Sequence, residues 1–412
     1  MDIIELKEIF VQNNRVTYKF DIPKAFEKYF EPKYDFFIEY PEDIDLNKVP
    51  EGILAVPFAA NMMLLTIVQP VTVKVKKLDK AFYNCIDNIA DGFSKIYPAQ
   101  GISFNVTADE TVECEYRPEE KYTQFFTGGV DATSALIENI DKKPELINIW
   151  GGDILLEDAD RYEKNKKYFE SVCGEFGLEF STIKSSLRFM FDEPKLDRVA
   201  LDKLKNTWWA AVSHNIAMNS LMAPFAYLKK IKTHFIASSY SESQKLRPCC
   251  NYSFINNPIC FGSCNVEQTD PMLTRDDKIN KIKQYYSENK KGFHLYVCHH
   301  PVDGDNCSSC EKCYRTIMSL IEKRLNPNYF GFTVDKKTIR SMRRFLFTTN
   351  VIPEYWKKMQ NDFIENRDFW RTIPQMRWFL RININSPYIK YRRLIIRAIN
   401  KVKRGHLFGK KN

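Results

Sequence analysis

Gln124-Phe125-Phe126-Thr127-Gly128-Gly129-Val130-Asp131-Ala132-Thr133 is the stretch on which the fold of this chain turns. Residues of strand character run into two glycines and then into a helical pattern expected over Asp131 to Ile140. Adjacent glycines let a backbone approach a bulky anion, and the helix behind them offers unpaired N–H groups and the positive end of its dipole. Asp131 suits that dipole and is placed to hold a magnesium ion beside phosphates. The chain contains no Gly-Lys-Ser/Thr and no Gly-x-Gly-x-x-Gly, so neither a Walker loop nor a dinucleotide fingerprint is available. Taken alone, the run also reads as an ordinary turn and helix cap.

Outward from this turn, strands and helices alternate from about 121 to 330. Leu146-Ile147-Asn148-Ile149-Trp150 is an apolar run closed by Gly151-Gly152, and a charged helix is expected through Phe176. Phe180 to Ser185 reads as a third strand, Asn206 to Tyr227 as one long apolar helix, and Thr233-His234-Phe235-Ile236-Ala237 as a fourth strand. Such alternation predicts an α/β fold, a parallel sheet covered by helices on both faces, with its site at the carboxyl ends of the strands.

Residues 1–120 read as an N-terminal α+β domain. Asp35 to Tyr40 and Val71 to Val75 have strand character, and Leu78, Phe82, Cys85, Ile86, Ile89 and Phe93 recur at helical spacing with Asp79 near the start. This region holds no catalytic constellation and reads as a docking or substrate-shaping domain. Residues 331–412 read as a helical basic extension punctuated by Pro353, Pro374 and Pro387.

At 412 residues, two or three domains are expected, and 44% hydrophobic with 27% charged residues excludes a disordered chain. No apolar run is long enough to span a membrane, and the acidic start Met-Asp-Ile-Ile-Glu does not resemble a signal peptide. A cytoplasmic protein is expected, in which the 11 cysteines serve as thiols or metal ligands. The net charge of +9 is concentrated: Arg381 to Asn412 holds ten basic residues and no Asp or Glu, so the remainder is close to neutral.

The cysteines carry the second motif. Cys298, Cys307, Cys310 and Cys313 are spaced Cys-x8-Cys-x2-Cys-x2-Cys, which lets four thiolates close a tetrahedron around zinc if a turn at Gly304 brings Cys298 back. Cys85, Cys114 and Cys173 fit element interiors and are expected in the core.

Together, the two motifs resemble the PP-loop ATP pyrophosphatases (N-type, adenine nucleotide alpha hydrolase-like). Their signature is Ser-Gly-Gly-x-Asp-Ser; Thr127 stands at the first serine and keeps the hydroxyl, whereas Ala132 stands at the second and does not, leaving Thr133 to supply one. The order of the two motifs, the interval between them and the cysteine spacing are similar to the 7-cyano-7-deazaguanine synthase family. The resemblance covers about residues 121 to 330. The Pro-Gly-Arg-Asn segment of those synthases is missing near Asn206 to His214, where Trp208-Trp209 and His214 stand instead. Leu273-Thr274-Arg275, Cys313-Tyr-Arg-Thr-Ile-Met and the extra N-terminal domain look closer to synthase-like proteins associated with surface-glycan synthesis.

The resemblance implies ATP, Mg2+ and Zn2+ as cofactors, with a structural zinc. Asp131, Thr127 and Thr133 would be catalytic; Gly128, Gly129, Val130, Ala132, Trp150, Gly151, Ser238 and Ser239 would join them around the nucleotide. The implied reaction is that of a ligase or amidotransferase adenylating a small-molecule or glycan-precursor substrate through a carboxylate or similar group, with ammonia as the incoming nitrogen. Glu242 is a candidate second magnesium ligand, Lys245, Arg247 and Arg275 are candidate phosphate clamps, and His214 is a candidate substrate contact.

Two alternatives stand beside this reading. Cys249-Cys250 and Cys260-x3-Cys264 are the cysteines that a tRNA-modifying sulfurtransferase would need; Ala132 would suit a nucleotide-binding scaffold without turnover. In the tail, Tyr388, Tyr391, Ile395, Ala398, Ile399 and Val402 fall on one helical face with basic residues around the rest. That pattern suggests an anionic membrane surface, at the inner face of the membrane, or an acidic partner; nucleic acid is the lesser expectation.

Overall fold

A computed structural model of the chain describes residues 2–289, 293–298, 305–349, 351, 353–384, 386–389, 391–396 and 399. Contacts divide the chain into two units: residues 1–127 with 131–278, and residues 128–130 with 279–412.

The first unit is organised by one sheet of eleven strands. They are β1 (Asp2–Gln12), β2 (Arg15–Asp21), β3 (Phe36–Glu39), β4 (Val71–Asp79), β5 (Asn105–Val112), β6 (Tyr122–Phe125), β7 (Glu145–Trp150), β8 (Phe180–Ser185), β9 (Thr233–Ala237), β10 (Cys260–Phe261) and β11 (Cys264–Thr269). Their order across the sheet is β10-β11-β9-β6-β7-β8-β3-β2-β1-β4-β5. Six of the ten pairings are parallel, among them the continuous block β11-β9-β6-β7-β8. The expected α/β class is thus the observed one.

Burial follows from these pairings. In β7 and β9 every interior position is buried, because helices cover both faces of a parallel block and no polar alternation is left. In β4, by contrast, Val71, Val73 and Val75 are buried while the residues between them are partly exposed. The N-terminal strands join the same sheet through the antiparallel pairing of β3 with β8, Ile38 opposite Ser185.

The helix Lys80–Ile96 buries Phe82, Cys85, Ile86, Ile89 and Phe93 on one face. Asp79 caps it, accepting a hydrogen bond from the Phe82 N–H at 3.1 Å. Cys85, Cys114 and Cys173 are buried as expected. Asn206 to Tyr227 departs from expectation, since it is not one helix. A π-helical turn, Trp209–Ser213, leads into the helices His214–Ser220 and Met222–Lys229, which are separated at Leu221. Pro224 explains the break, as it lacks the N–H that would bond the Ser220 carbonyl and continue the ladder.

The second unit is helical in its C-terminal part. Glu311–Glu322 packs with Pro353–Glu365, which in turn packs with Arg377–Arg381. Pro353 opens its helix and Pro374 falls between Arg367–Arg371 and Arg377–Arg381, as the sequence suggested. Trp356, Phe363, Trp370 and Phe379 form the buried interior here, with the Phe363 and Trp370 rings stacked at 4.1 Å.

In the tail, Tyr388, Tyr391, Ile395 and Ile399 are exposed, while Ala398 and Val402 lie outside the described residues. Arg393 is buried, and its guanidinium donates to the Leu346 carbonyl at 2.6 Å, so this charge closes the end of a helix. Among the described residues, no helix is long and apolar enough to cross a membrane.

Candidate functional site

In the parallel block β8-β7-β6-β9-β11, the chain runs outward from β6 through β7 to β8, then returns to β9 on the other side of β6. That reversal is a topological switch point. In such sheets the loops leaving the two strands part in opposite directions and open a crevice at their carboxyl ends. Thr127 to Thr133 follow β6, Ser238-Ser239 follow β9 and Trp150-Gly151 close the neighbouring β7, so all three sets stand at the same carboxyl rim of the sheet.

The glycine turn is built as its sequence demands. Gly128 has φ +71°, a left-handed conformation that favours glycine, and the helix Val130–Asn139 starts two residues later. Thr127 is exposed, so its hydroxyl faces open space, whereas Val130, Ala132 and Thr133 are buried. Ser134 is also buried and donates from Oγ to Asp270 Oδ2 at 2.7 Å. Asp270 ends β11 in a left-handed conformation, φ +59°, and its carbonyl accepts from Ser238 Oγ at 2.7 Å.

Asp131 is the electrostatic centre of the crevice. Lys278 Nζ donates to Asp131 Oδ1 at 3.0 Å and also to the Ser238 carbonyl. One ammonium therefore bridges the loop after β6 and the loop after β9. Arg275 lies 3.6 Å from the other carboxylate oxygen. The Lys278 side chain is only 1% exposed while that of Asp131 is 30% exposed, so the carboxylate still reaches solvent and the ammonium does not. Burying an ammonium is costly without a partner, which makes this pair a feature the fold had to build.

The sequence singles out Asp131 and Arg275 as candidates but not Lys278, which the fold brings to Asp131. The available signal was the helix start: Thr274 Oγ1 accepts from the Asp277 N–H at 3.3 Å and Asp277 Oδ2 accepts from the Thr274 N–H at 2.8 Å, a reciprocal cap that fixes the first turn. Nothing local, however, announces that this turn delivers Lys278 to Asp131.

The remaining candidates fall differently. Gly151 has φ +106°, and a Cβ there would stand 1.8 Å from the Ser185 carbonyl oxygen, so this position admits glycine only. Trp150 stacks on Tyr162 at 4.5 Å and Lys184 Nζ lies over its ring at 4.2 Å, which occupies the ring in packing. Ser239 is exposed, and its N–H donates to Asn251 Oδ1 at 2.5 Å. Glu242 caps the short helix at Ser253, accepting from its N–H at 2.6 Å and its hydroxyl at 3.0 Å. Lys245 and Arg247 are exposed. His214 lies 5.0 Å from Trp209, over which Arg188 packs at 4.3 Å; burial lowers the His214 pKa and favours its neutral form.

The four cysteines form the second centre. Cys298 Sγ lies 3.9 Å from Cys310 Sγ and Cys307 Sγ lies 3.9 Å from Cys313 Sγ, with all four sulfurs within 4.8 Å of one another. A zinc tetrathiolate with bonds of about 2.3 Å has sulfur–sulfur edges of about 3.8 Å, so the cluster is suited to zinc. Backbone N–H groups of Cys307, Cys310 and Cys313 point at the sulfurs of Cys298, Cys307 and Cys310 at 3.3–3.5 Å. Cys310 also caps the helix Glu311–Glu322. Its pKa is held down to about 4, chiefly by hydrogen bonding with Cys313, whose own thiol is raised. The Gly304 turn lies outside the described residues.

Burial pushes the Cys249 thiol up to about 11 and raises Cys250 and Cys264 as well. Cys260 is lowered by its hydrogen bond with Cys85, whose own thiol is raised. No protein-family model matches the chain, and no curated protein matches it.

Proposed function

We propose that this chain is an ATP pyrophosphatase-type ligase: it binds ATP at the crevice between β6 and β9 and transfers AMP to a substrate oxygen, releasing pyrophosphate. One observation carries the reading. A glycine turn leading into a helix, together with Lys278 and Arg275, gathers at Asp131 at the switch point of a parallel sheet.

The backbone N–H groups of the turn hold the phosphates. Lys278 and Arg275 offset charge that builds on the departing pyrophosphate, and Asp131 keeps both cations in place between turnovers. Asp131 would also be the residue to hold a magnesium ion, which would neutralise charge on the leaving group. A substrate carboxylate needs no general base, because it is already a nucleophile. Its oxygen attacks the α-phosphorus, the bond to the bridging oxygen breaks, and pyrophosphate leaves with the electron pair. A nitrogen nucleophile then displaces AMP from the acyl carbon. Positioning supplies much of the acceleration in such a scheme.

Burial raises the thiols of Cys249, Cys250 and Cys264 and disfavours a persulfide carrier at these three, whereas Cys260 is lowered by its hydrogen bond with Cys85. The zinc is proposed to be structural, since four cysteine ligands leave no open position.

Incubation of the chain with ATP and a small-molecule extract, followed by mass spectrometry for adenylated compounds, tests the reaction. An adenylate that appears with the native chain and not with Asp131→Asn supports it. Absence of ATP binding by calorimetry removes it.

A further inference from the structure

The second unit holds a cavity of about 610 Å³ lined by Ile364, Arg367, Arg371, Leu380, Arg377 and Arg381. Among the described residues, four guanidinium groups and two aliphatic side chains make up this lining and no carboxylate joins it. Asp368 reaches Arg371 only at 3.8 Å and is itself almost fully exposed, a contact too solvated to neutralise one charge.

Like charges around one concavity repel, so something must hold them there. The short helices Arg367–Arg371 and Arg377–Arg381 are anchored beneath by Trp370 and Phe379, which are 2% and 0% exposed. Gln360 Nε2 donates to the carbonyls of Phe379 and Ile382, each at 2.6 Å, pinning the second helix. Arg377 Nε donates to the Arg371 carbonyl at 2.6 Å, which ties the two arginine-bearing segments together. The backbone that carries the charges is thus preorganised, while all four arginines remain exposed.

We propose that this cavity is a binding site for a phosphate-bearing ligand, separate from the crevice around Asp131. Guanidinium groups match phosphate oxygens with paired N–H donors, and several converging on one space select a multiply charged or phosphate-ended anion. The volume is that of a small-molecule site, larger than one inorganic phosphate requires. Ile364, 46% exposed, and Leu380 provide an apolar wall for the organic part of the ligand. The same chemistry is offered by a soluble phosphorylated metabolite and by the phosphate headgroup of a lipid.

The test uses the full chain and the variant Arg371→Gln/Arg381→Gln. Because these side chains are exposed, circular dichroism and melting should be unchanged. Calorimetry with glycerol 3-phosphate forms one arm; flotation with phosphatidylcholine vesicles, with and without phosphatidic acid, forms the other. The native chain should bind at least one of these probes, and the variant should bind it about tenfold more weakly or worse. Arg371→Lys/Arg381→Lys should recover only part of the loss, since lysine keeps the charge without the paired donors. ATP affinity should be the same in all three proteins. Loss confined to the soluble probe identifies a free metabolite; loss confined to phosphatidic acid vesicles identifies a headgroup. Equal binding by native chain and Gln variant in both arms, or no binding by the native chain in either, overturns the proposal.

Discussion

The cysteine segment and the glycine turn make an instructive pair. Between Cys298 and Cys313 the ligands, their spacing and the helix start that aims the Cys310 sulfur all belong to one short stretch. In the glycine turn only half of the site is local: Gly128 and the helix N-terminus come from adjacent residues, but the charge facing Asp131 comes from Lys278. A motif that contains its own chemistry can be recognised unaided. A motif that needs a distant partner gains its meaning from the fold.

The largest effect that would sharpen this contrast is expected at Cys310. In Cys310→Ser the zinc content should fall from one per chain to none, with a loss of about 3 kcal/mol or more, or roughly 4 °C in Tm for a chain of this length. Atomic absorption and calorimetry would measure both. A metal-free chain with native melting would mean that the cluster is not a zinc site.

Next in size is Asp131→Asn, which should slow pyrophosphate release at least about 100-fold. Loss of the carboxylate also strands Lys278, so some stability should go with it. A double-mutant cycle with Lys278→Met should return a coupling of about 1–3 kcal/mol for the pair. Turnover close to normal in Asp131→Asn would end the assignment of the turn; a coupling near zero would remove Lys278 from the site.

Acid should affect the sheet through His234. This residue of β9 is fully buried, its Nδ1 lies 2.8 Å from Thr123 Oγ1, and burial depresses its pKa to about 3. Above about pH 6.5 both folded and unfolded chains keep the ring neutral. Below it the unfolded chain takes up a proton that the native state refuses, so stability falls by up to about 1.4 kcal/mol per pH unit until about pH 3. Urea titrations at pH 7, 6, 5 and 4 should show this slope, reduced in His234→Asn. Zinc thiolates are acid-sensitive too, so the comparison is best made in the Cys310→Ser background. An unchanged slope in His234→Asn would point to other groups.

The smallest effect is expected for Thr127→Ala. Its exposed hydroxyl adds at most one hydrogen bond to a turn whose backbone donors remain, so pyrophosphate release should fall about threefold or less. A loss as large as that of Asp131→Asn would make the hydroxyl, rather than the N–H groups, the main phosphate contact.

Much of the architecture was legible in sequence because it is local. β8 and β9 fall where segments of strand length are expected, and the helix after Asp79 follows the helical spacing of its apolar residues. The spacing of the four cysteines alone announced the cluster, suited to zinc, that the fold closes. The hairpin β1–β2 and the strands β5, β10 and β11 were not read, since their polar positions face out and weaken the apolar pattern. The expected long helix from Asn206 was broken by a π-turn and by Pro224.

What the sequence determined by itself, then, was whatever depends on neighbours in the chain: element type, the left-handed glycine, the caps and the cysteine tetrad. Tertiary structure alone decided that β3 docks on β8 to extend one sheet, that β9 returns beside β6, and that Lys278 meets Asp131. The reason is physical. Local propensities arise within a few residues, whereas an ion pair with a buried ammonium and a switch point exist only once distant segments have been brought together.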